Sequence, residues 1–550
     1  MRCPVTRNSP DIPIFTFMEW NPHHLPYQQT GYFSKIITDY LDGAAALSPF
    51  YQHPVHMEGM RASLEARKKA PVDRKTLVEA LREQYQAVEA SPLVTANIDR
   101  LLEENTFTVV TAHQPAIFTG PLYFLYKIIH IIRLADQLKR EWPDVHFVPV
   151  FYMGSEDADL EELGSIYLNG EKLEWGTKQK GAVGRMNTKG LEQILNRVEG
   201  ELSVQAYGSE LMEKVKECYL KSPDIQTATF RLLHWLFAGY GLVVLIPDRA
   251  SLKRLMIPVF EDDLFQQTPC KIVEETIERL PAQYKVQANP RPINLFYLEG
   301  DLRGRIERVG DIFKVHESDL TFSPEAMREE LHRRPERFSP NVILRGLYQE
   351  TILPNIAFIG GGGETAYWLE LKALFHHYGR PFPMLILRNS FLLVETLWAG
   401  RAANAGLEIK DLFHSEEALL NELVKREAQQ KVSMEKEIVE AERYYDALKD
   451  RARSVDPTLV QHVEALQAKA LHPLNELEKK LLKAEKRKFG DRQRQIHALR
   501  SALFPGNGLQ ERIENFMPWY ASRGLAFIKD IYEHSPTLEQ EFVVLTEGHK

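Results

Sequence analysis

FTVVTAHQPAIFTGPLYFLYKIIHIIRLADQL, residues 107–138, contains the pattern of a β-strand, a polar turn and a helix in that order. Residues 107–112 are mostly β-branched or aromatic, which predicts a buried strand. Pro121 stands at the first position of the helix predicted over residues 122–138, where proline is tolerated. A second apolar run, residues 147–153, predicts the next strand. Because a strand, a helix and a strand in sequence form a right-handed parallel crossover, the chain is predicted to be an α/β protein.

Four predicted strands end in a polar or glycine-rich turn. They cover residues 107–112, 147–153, 356–359 and 384–387, and a further short strand is predicted over residues 242–246. In an open α/β sheet, ligands bind outside the carboxyl ends of the strands. The sequence therefore predicts one crevice at which the four turns meet, and it predicts that the protein is an enzyme.

The chain of 550 residues is too long for one compact core, so roughly three domains or one core with large insertions are expected. A hairpin is predicted around residues 296–301. The predicted divisions are a mainly helical segment (1–100), the first part of a Rossmann-like core (101–250), a connecting insertion (251–338), the second part of the core (339–410), a coiled-coil hairpin (411–505) and a C-terminal segment packing on the core (506–550).

Apolar residues in the C-terminal region follow the alternating steps of three and four that define a heptad repeat. Asp456-Pro457 separates two predicted helices, and a stutter is predicted near Pro473. An antiparallel coiled coil with an exposed seam commonly forms a homodimer, whereas a helical hairpin packed on its own core is the alternative. The predicted seam comprises Met434, Ile438, Ala441, Tyr445, Leu448, Ala452, Val455, Val463, Leu466, Ala470, Leu474, Leu477, Leu481 and Ala484.

The composition is that of an ordinary soluble globular protein, with 44% hydrophobic and 26% charged residues. A net charge of −8 lacks the basic footprint of a nucleic-acid-binding protein. Cys3, Cys218 and Cys270 have neither a disulfide framework nor metal-ligand spacing. The N-terminus lacks the apolar region of a secretory signal, and the most apolar helix is too short to cross a bilayer. A cytoplasmic protein without nucleic-acid or membrane partners, and without a metal site, is expected.

The first turn is predicted to bind an anion. His113 and Gln114 follow the strand, and Thr119-Gly120 opens the helix, whose N-terminal N–H groups and dipole attract negative charge. A histidine there can contact a phosphate or a charged transition state. The turn loosely resembles the histidine-containing signature of class I aminoacyl-tRNA synthetase-like nucleotidyltransferases. A structural histidine is the alternative.

The second turn carries a group of carboxylates, Glu156, Asp157 and Asp159. Several carboxylates at a strand end are unfavourable unless they hold a cation, an amine or a metal. A catalytic role is therefore predicted for these three residues together with His113. The alternative is that Glu156 or Asp159 caps the short helix predicted over residues 160–163.

The third and fourth turns are predicted to bind substrate. Four consecutive glycines allow a ligand to approach the backbone, although a tight turn with positive φ is the alternative. An arginine can donate two parallel hydrogen bonds to one carboxylate or phosphate, although surface salt bridging is the alternative for the arginines here. A helix beginning at Ser339-Pro340 would place Asn341, Arg345 and Gln349 on one face. The full predicted substrate-binding set is Gln114, Thr119, Gly120, Asn341, Arg345, Gln349, Gly360, Gly361, Gly362, Gly363, Glu364, Tyr367, Arg388 and Ser390.

With these motifs assembled, the sequence closely resembles the bacillithiol-biosynthesis cysteine-adding enzyme family, BshC. The resemblance implies a Rossmann-like core related to class I nucleotidyltransferases, helical insertions and a dimerising C-terminal antiparallel coiled coil. The family usually has Glu-Asp-His-Asp where this chain has Glu156-Asp157-Ala158-Asp159. The resemblance extends over nearly the whole chain, and the matching stretches are residues 111–138, 147–162, 339–372 and 383–390, with weaker matches at 294–297 and 509–512.

The implied activity is a ligase that adds L-cysteine to glucosaminyl-malate to form bacillithiol. Amide formation needs an activated carboxyl group, so ATP is the expected cofactor. In this hypothesis His113 with Thr119-Gly120 contacts phosphate or an anionic intermediate, and Arg345 or Arg388 binds substrate carboxylates. Asp157, with Glu156 or Asp159, holds the amino group and acts as general base. Two alternatives are a nucleotidyltransferase acting on another small metabolite and a coiled-coil assembly protein with an inactive core.

Overall fold

The structure is a computed structural model that describes residues 20–422, 433–486 and 490–548. The chain forms two compact units. The larger comprises His24–Phe391 with Phe504–Val543, and the smaller contains Leu392–Leu503. The strands in chain order are β1 Trp20–Pro26, β2 Thr106–His113, β3 His146–Met153, β4 Ser165–Leu168, β5 Glu171–Glu174, β6 Val243–Leu245, β7 Leu295–Glu299, β8 Leu302–Val309, β9 Ile312–Val315, β10 Thr321–Phe322, β11 Phe338–Pro340, β12 Asn355–Gly360, β13 Met384–Leu387, β14 Phe391–Val394 and β15 Glu541–Glu547.

A five-stranded parallel sheet of order β13-β12-β2-β3-β6 forms the centre of the larger unit. The prediction of a parallel α/β sheet is therefore confirmed, and each predicted strand agrees with the observed bounds to within one residue at either end. Strand β2 lies in the middle of the sheet, and its residues are buried along nearly its whole length. The predicted crossover helix runs over Tyr123–Glu141 rather than from Pro121, which instead forms a bridge to Asn515.

Helices surround the sheet and connect its strands. Those of the larger unit are Tyr27–Thr30, Lys35–Leu41, Met57–Lys68, Arg74–Tyr85, Pro92–Arg100, Tyr123–Glu141, Leu160–Leu163, Leu191–Leu202, Gly208–Leu220, Ile225–Phe237, Ala250–Lys253, Ile257–Phe265, Thr268–Arg279, Pro324–Arg333, Val342–Ile352, Gly362–Trp368, Lys372–His377, Met517–Arg523 and Leu525–Glu533.

One predicted helix start is wrong. Ser339 and Pro340 belong to strand β11, and the helix begins at Val342 with Asn341 as its N-cap. The Asn341 side chain accepts the N–H of Ile343, which is the usual use of asparagine at this position. The chain after the glycine run forms two short helices, Gly362–Trp368 and Lys372–His377.

A second five-stranded sheet, of order β10-β9-β8-β7-β11, is antiparallel and contains the predicted hairpin as β7 and β8. Position 304 in β8 requires glycine, because a Cβ atom there would lie 2.3 Å from the carbonyl oxygen of His316. Close packing of the next strand thus fixes the path of β8. Strands β4 and β5 form a hairpin, and β1, β15 and β14 form a three-stranded sheet.

The smaller unit contains the predicted helical hairpin. Its helices are Thr396–Asn404, Glu435–Val455, Val460–Lys486 and Gly490–Leu503, and the short 3₁₀ turn Pro457–Leu459 joins the two arms of the hairpin. The first arm packs on the second through most of the predicted positions, including half-buried Ile438, Tyr445 and Leu448, but the predicted Val455 is 77% exposed.

The second arm differs from the predicted seam. Val463, Ala470 and Leu474 are half-buried as predicted, but Leu466, Leu477 and Leu481 are 42%, 44% and 38% exposed, and Ala484 is exposed as well. Gln467, Glu478 and Leu482 occupy the half-buried positions instead. Pro473 lies inside one continuous helix. The contact face of this arm is therefore rotated relative to its row of leucines.

Among the described residues, no helix combines the length and apolar character needed to cross a membrane. Cys218 and Cys270 are buried free thiols, and Cys3 lies outside the described residues.

Candidate active site

A cleft of about 330 Å³ opens at the carboxyl ends of the parallel strands in the larger unit. The turns after β2, β3, β12 and β13 all contribute to it, so the structure brings together the four turns singled out in the sequence. Its lining comprises Ala112, His113, Gln114, Tyr123, Tyr152, Gly154, Glu156, Asp157, Pro247, Arg303, Ser339, Pro340, Asn341, Val342, Arg345, Gly361, Gly362, Gly363, Glu364, Tyr367, Arg388 and Arg512.

His113 is held between two neighbours at the end of β2. Its Nδ1 lies 2.9 Å from the carbonyl oxygen of Gln114, and its Nε2 lies 2.9 Å from the hydroxyl of Tyr123. Burial, with the charge of Lys127, lowers the pKa of His113 to about 4, so the ring is neutral at pH 7. Because a carbonyl can only accept, Nδ1 carries the proton and Nε2 accepts from Tyr123. The ring then has no N–H left for a phosphate, contrary to the predicted role.

Glu364 follows the glycine run and forms a buried ion pair. Its Oε2 lies 2.5 Å from Nζ of Lys127 and also accepts the N–H of Gly361 at 2.9 Å. Lys127 projects from the helix Tyr123–Glu141 and donates as well to the carbonyl oxygen of Ala112. Burial opposes ionisation of Glu364, but the charge of Lys127 and these hydrogen bonds hold the pKa of Glu364 below its ordinary value. The pair links β2 to the start of the helix Gly362–Trp368.

Glu156 belongs to a second buried ion cluster. It pairs with Nζ of Lys253, which also lies 3.1 Å from Oδ1 of Asp248. The Asp248 carboxylate accepts two hydrogen bonds from Arg185, each of 2.7 Å. Burial raises the pKa of Glu156, whereas Lys253 and Arg185 overcome the effect of burial on Asp248 and lower its pKa. Because Glu156 is already paired with a buried lysine, its carboxylate forms a fixed part of the cleft wall.

Asp157 and Asp159 have different surroundings. Asp157 lies in the cleft, where its Oδ2 accepts from Nε2 of Gln114 at 3.0 Å and its Oδ1 accepts the N–H of Ala158 at 2.7 Å. Asp159 is exposed outside the cleft and caps the helix Leu160–Leu163 by accepting the N–H of Glu162. Of the predicted carboxylates, Asp159 is therefore the one used as a cap, whereas Asp157 lines the cleft without a cation paired to it among the residues that the structure describes.

Two arginines predicted from the sequence line the cleft. Arg345 donates to the hydroxyl of Tyr367 at 2.8 Å. The guanidinium carbon of Arg345 lies 5.6 Å from the ring centre of Tyr152. Arg388 is paired with Glu511 at 2.8 Å and lies over the ring of Tyr123. Arg345 thus keeps an uncompensated charge, whereas the charge of Arg388 is balanced by a buried carboxylate.

The glycine run forms the floor of the cleft without unusual backbone angles. None of Gly360, Gly361, Gly362 and Gly363 has positive φ, so the tight-turn alternative is wrong. A Cβ atom at Gly360 would lie 2.9 Å from the Phe358 ring, whereas one at Gly361 would lie 3.7 Å from Nε of Arg388. Space for the Phe358 ring explains the first glycine, and access for a ligand explains the glycines that line the cleft.

Several predicted residues lie outside the lining of the cleft. The N–H groups of Thr119 and Gly120 donate to Ala116 and Ile117 in their own turn, which contradicts the predicted anion site. Gln349 is buried against Glu350, and Ser390 accepts from Arg388. Gly360 also lies outside the lining.

Four residues that line the cleft or pair with its lining were absent from the predicted site. They are Tyr123 and Arg303, which line it, and Lys127 and Lys253, which pair with Glu364 and Glu156. Lys127 had a sequence signal, because a single lysine in an apolar helix needs a carboxylate partner when it is buried. Lys253 and Arg303 had none, since Lys253 reaches Glu156, and Arg303 reaches the cleft, from segments distant in sequence. Among the described residues, one group of three has ligand atoms close enough to hold a metal ion, Asp411, His414 and Glu422, and it does not line the cleft.

Among solved structures, a crystal structure described as that of a putative arginyl-tRNA synthetase from Campylobacter jejuni matches 78% of this chain and 99% of its own. The sequence identity is 12% and the TM-score is 0.23, too low for an argument about fold or function. Kinship with class I nucleotidyltransferases therefore stays a prediction.

The chain has close relatives among curated proteins. A protein of Flavobacterium johnsoniae named "Putative cysteine ligase BshC" is 41% identical over 95% of this chain and 99% of its own length. Proteins of the same name from Christiangramia forsetii and Salinibacter ruber are 38% and 30% identical, over 96% and 92% of this chain and 99% and 95% of their own lengths.

Two family descriptions divide the chain between them. "Bacillithiol biosynthesis BshC, N-terminal Rossmann-like domain" matches residues 20–389, which include all the lining residues except Arg512. "Bacillithiol biosynthesis BshC, C-terminal coiled-coil domain" matches residues 391–547. Together with the parallel sheet and the helical hairpin, these matches show that the chain belongs to the BshC family of bacillithiol biosynthesis.

Proposed function

We propose that this protein is a cysteine ligase that joins the carboxyl group of L-cysteine to the amino group of glucosaminyl-malate, the last step in the synthesis of bacillithiol. The family membership and the names of the relatives support the reaction class. The distribution of charge in the cleft supports the choice of substrate, and it is the observation that carries the proposal.

Three arginines in the cleft, Arg303, Arg345 and Arg512, have no carboxylate within ion-pair distance among the described residues. One carboxylate, Asp157, has no cation paired with it within the same described part of the chain. Uncompensated charges in a partly buried site favour a ligand of opposite sign. A ligand with two carboxylates and one ammonium group, as in glucosaminyl-malate, matches this arrangement.

The reaction forms an amide bond and needs an activated carboxyl group. ATP supplies the activation, either as an acyl adenylate with loss of pyrophosphate or as an acyl phosphate with loss of ADP. The ammonium group of the sugar loses one proton to give the free amine, which attacks the activated carbonyl carbon. The C–O bond to the phosphate then breaks, and a second proton leaves the nitrogen as the amide forms. Activation is required because the direct condensation of a carboxylate with an ammonium group is unfavourable in water.

Asp157 is the residue best placed to remove the first proton. Gln114 and the N–H of Ala158 hold its two oxygens in place, and each oxygen keeps a further lone pair for the ammonium group. A positioned base of this kind contributes about 10²- to 10⁴-fold in rate. His113 acts indirectly, because it orients the Tyr123 hydroxyl that lines the cleft.

The test incubates the purified protein with L-cysteine and glucosaminyl-malate, with and without ATP, and detects the thiol product by mass spectrometry. The expected result is bacillithiol formation that depends on ATP, and the released AMP or ADP identifies the activated intermediate. Product formed without nucleotide would remove the activation step. Absence of product under all conditions would contradict the proposed reaction.

A further inference from the structure

Arg303 reaches the cleft from the antiparallel sheet rather than from the parallel core. It lies on β8, and its guanidinium carbon is 3.8 Å from the ring centre of Phe296 on the neighbouring strand β7. Stacking of a planar guanidinium on an aromatic ring restricts the side chain to one orientation. The adjacent Gly304 is held by close contact with His316, so the strand itself has little freedom to move.

The guanidinium of Arg303 has no hydrogen-bond or ion-pair partner among the described residues, and its Nε is fully buried. Three buried cations nearby are paired with carboxylates, whereas Arg345 has no carboxylate partner in the described part of the chain and donates to the Tyr367 hydroxyl. Lys127 is paired with Glu364, Lys253 with Glu156, and Arg388 with Glu511. A buried donor without a partner is unfavourable by about 1–3 kcal/mol or more when it is charged. Such a group at the wall of a cleft is therefore expected to be satisfied by a bound anion.

The surroundings of Arg303 restrict which anion can bind. Burial lowers the pKa of Arg303, and the negative charges of Asp157 and Glu156 act against that shift. These two carboxylates repel a triphosphate at this place. A ligand that carries an ammonium group beside a carboxylate avoids the repulsion, since its ammonium group contacts Asp157 while its carboxylate contacts Arg303.

We propose that Arg303 binds a carboxylate of the malate group of the amino-sugar substrate and thereby selects that substrate; this inference rests on the proposed function. The malate carboxylates keep their charge throughout the reaction. The cysteine carboxylate loses its charge on activation, so a fixed cation would stabilise its ground state more than its transition state. The antiparallel sheet that contains Arg303 thus helps to select the amino-sugar substrate.

The test compares Arg303→Gln with Arg305→Gln by isothermal titration calorimetry. Arg305 lies on the same strand, is paired with Glu307 and does not line the cleft, so it is a matched control. The titrants are glucosaminyl-malate and methyl glucosaminide, which has the amine but no carboxylate. We expect Arg303→Gln to weaken binding of glucosaminyl-malate about 10- to 100-fold and to leave methyl glucosaminide unchanged. Arg305→Gln should bind both like the wild type.

Arg303→Lys is a second variant for the case in which Arg303→Gln fails to fold. Lysine keeps the positive charge but cannot donate two parallel hydrogen bonds to one carboxylate. It should weaken binding of glucosaminyl-malate and leave methyl glucosaminide unchanged. Wild-type affinity for glucosaminyl-malate in an Arg303 variant, or a loss confined to cysteine or ATP, would overturn the inference. Formation of bacillithiol by the wild type tests the proposed function separately, and the calorimetric result decides the role of Arg303 whether or not product forms.

Discussion

Asp157 and Asp159 show how far two like residues in one short motif can differ. Asp157 presents its carboxylate to the cleft with both oxygens oriented by donors, and Asp159 caps a helix at the surface. The difference arises from the direction of the backbone after β3, which turns the first side chain inward and the second outward. Only the first lines the cleft.

We expect Asp157→Asn to lower kcat for bacillithiol formation by about 10²- to 10⁴-fold, because the amide cannot accept the proton of the amine. Asp159→Asn should stay within a few-fold of the wild type, since asparagine is an equally good N-cap. Steady-state kinetics of the two purified variants measures both effects. Equal rates for Asp157→Asn and the wild type would exclude Asp157 as the general base.

His130 is a second histidine that the fold holds neutral. Its Nε2 donates to the carbonyl oxygen of Thr537 at 2.8 Å, and its Nδ1 accepts the N–H of Asn389 at 3.2 Å. Burial lowers the pKa of His130 to about 4. Protonation would set two N–H groups against each other, so the neutral ring joins the crossover helix to the residue after Arg388.

The unfolded chain binds a proton at His130 near pH 6.5, whereas the native protein binds it only near pH 4. The stability that depends on this group is therefore complete above pH 6.5 and is lost as the pH falls to 4. We expect the free-energy difference between wild type and His130→Gln to narrow by up to about 3 kcal/mol over that range. Urea denaturation at several pH values measures it, with the exposed His23→Gln as control. A difference that is constant with pH would contradict the prediction.

At the level of elements, the turn from β12 into the helix Gly362–Trp368 combines two requirements. Gly360 makes room for the ring of Phe358, which stacks on Trp368 with centres 4.4 Å apart. Gly361 lies between the Glu364 carboxylate and Arg388 and donates its N–H to the former. The first glycine serves packing, and the second keeps the floor of the cleft open.

Alanine substitutions separate these two requirements. Gly360→Ala should lower the free energy of unfolding by about 1–3 kcal/mol, because its Cβ would overlap a ring that cannot move. Gly361→Ala should change stability little, because its Cβ would make ordinary contacts, and it should lower the rate of product formation by narrowing the cleft. Urea denaturation and the product assay measure the two effects. Loss of stability in Gly361→Ala with unchanged activity would contradict this assignment.

At the level of the whole molecule, the helical hairpin has a row of exposed leucines that lies outside the contact between its two arms. Leu466, Leu477 and Leu481 lie on one side of the helix Val460–Lys486 and are exposed, while the first arm packs on a different face. An exposed apolar row on a long helix favours contact with a second copy of the chain. We therefore propose that the protein is a homodimer formed through this row.

We expect Leu477→Glu to convert the wild-type dimer into a monomer, because it places a charge in the centre of the apolar row. Ala468→Glu introduces the same charge on the opposite side of the same helix and should leave the dimer intact. Analytical ultracentrifugation at micromolar concentration distinguishes the two states. A monomeric wild type, or a dimeric Leu477→Glu variant, would rule out this interface.

The amino-acid sequence alone determined the parallel sheet, the helical hairpin and the four turns of the cleft. Each depends on a local pattern, such as the β-branched run before His113 or the heptad spacing around Ile438. The same local information placed Asp157, Arg345 and Glu364 at the site, because each directly follows or faces the carboxyl end of a strand.

Only the tertiary structure decided the electrostatics of the cleft. The pairings of Lys127 with Glu364 and of Lys253 with Glu156 join residues far apart in the chain, and local patterns contain no information about such contacts. Arg303 entered the site because β8 of the antiparallel sheet borders the cleft, and Asp159 left it because the backbone turns within two residues. Which charges stay uncompensated, and therefore what the cleft can bind, depends on how all these segments pack together.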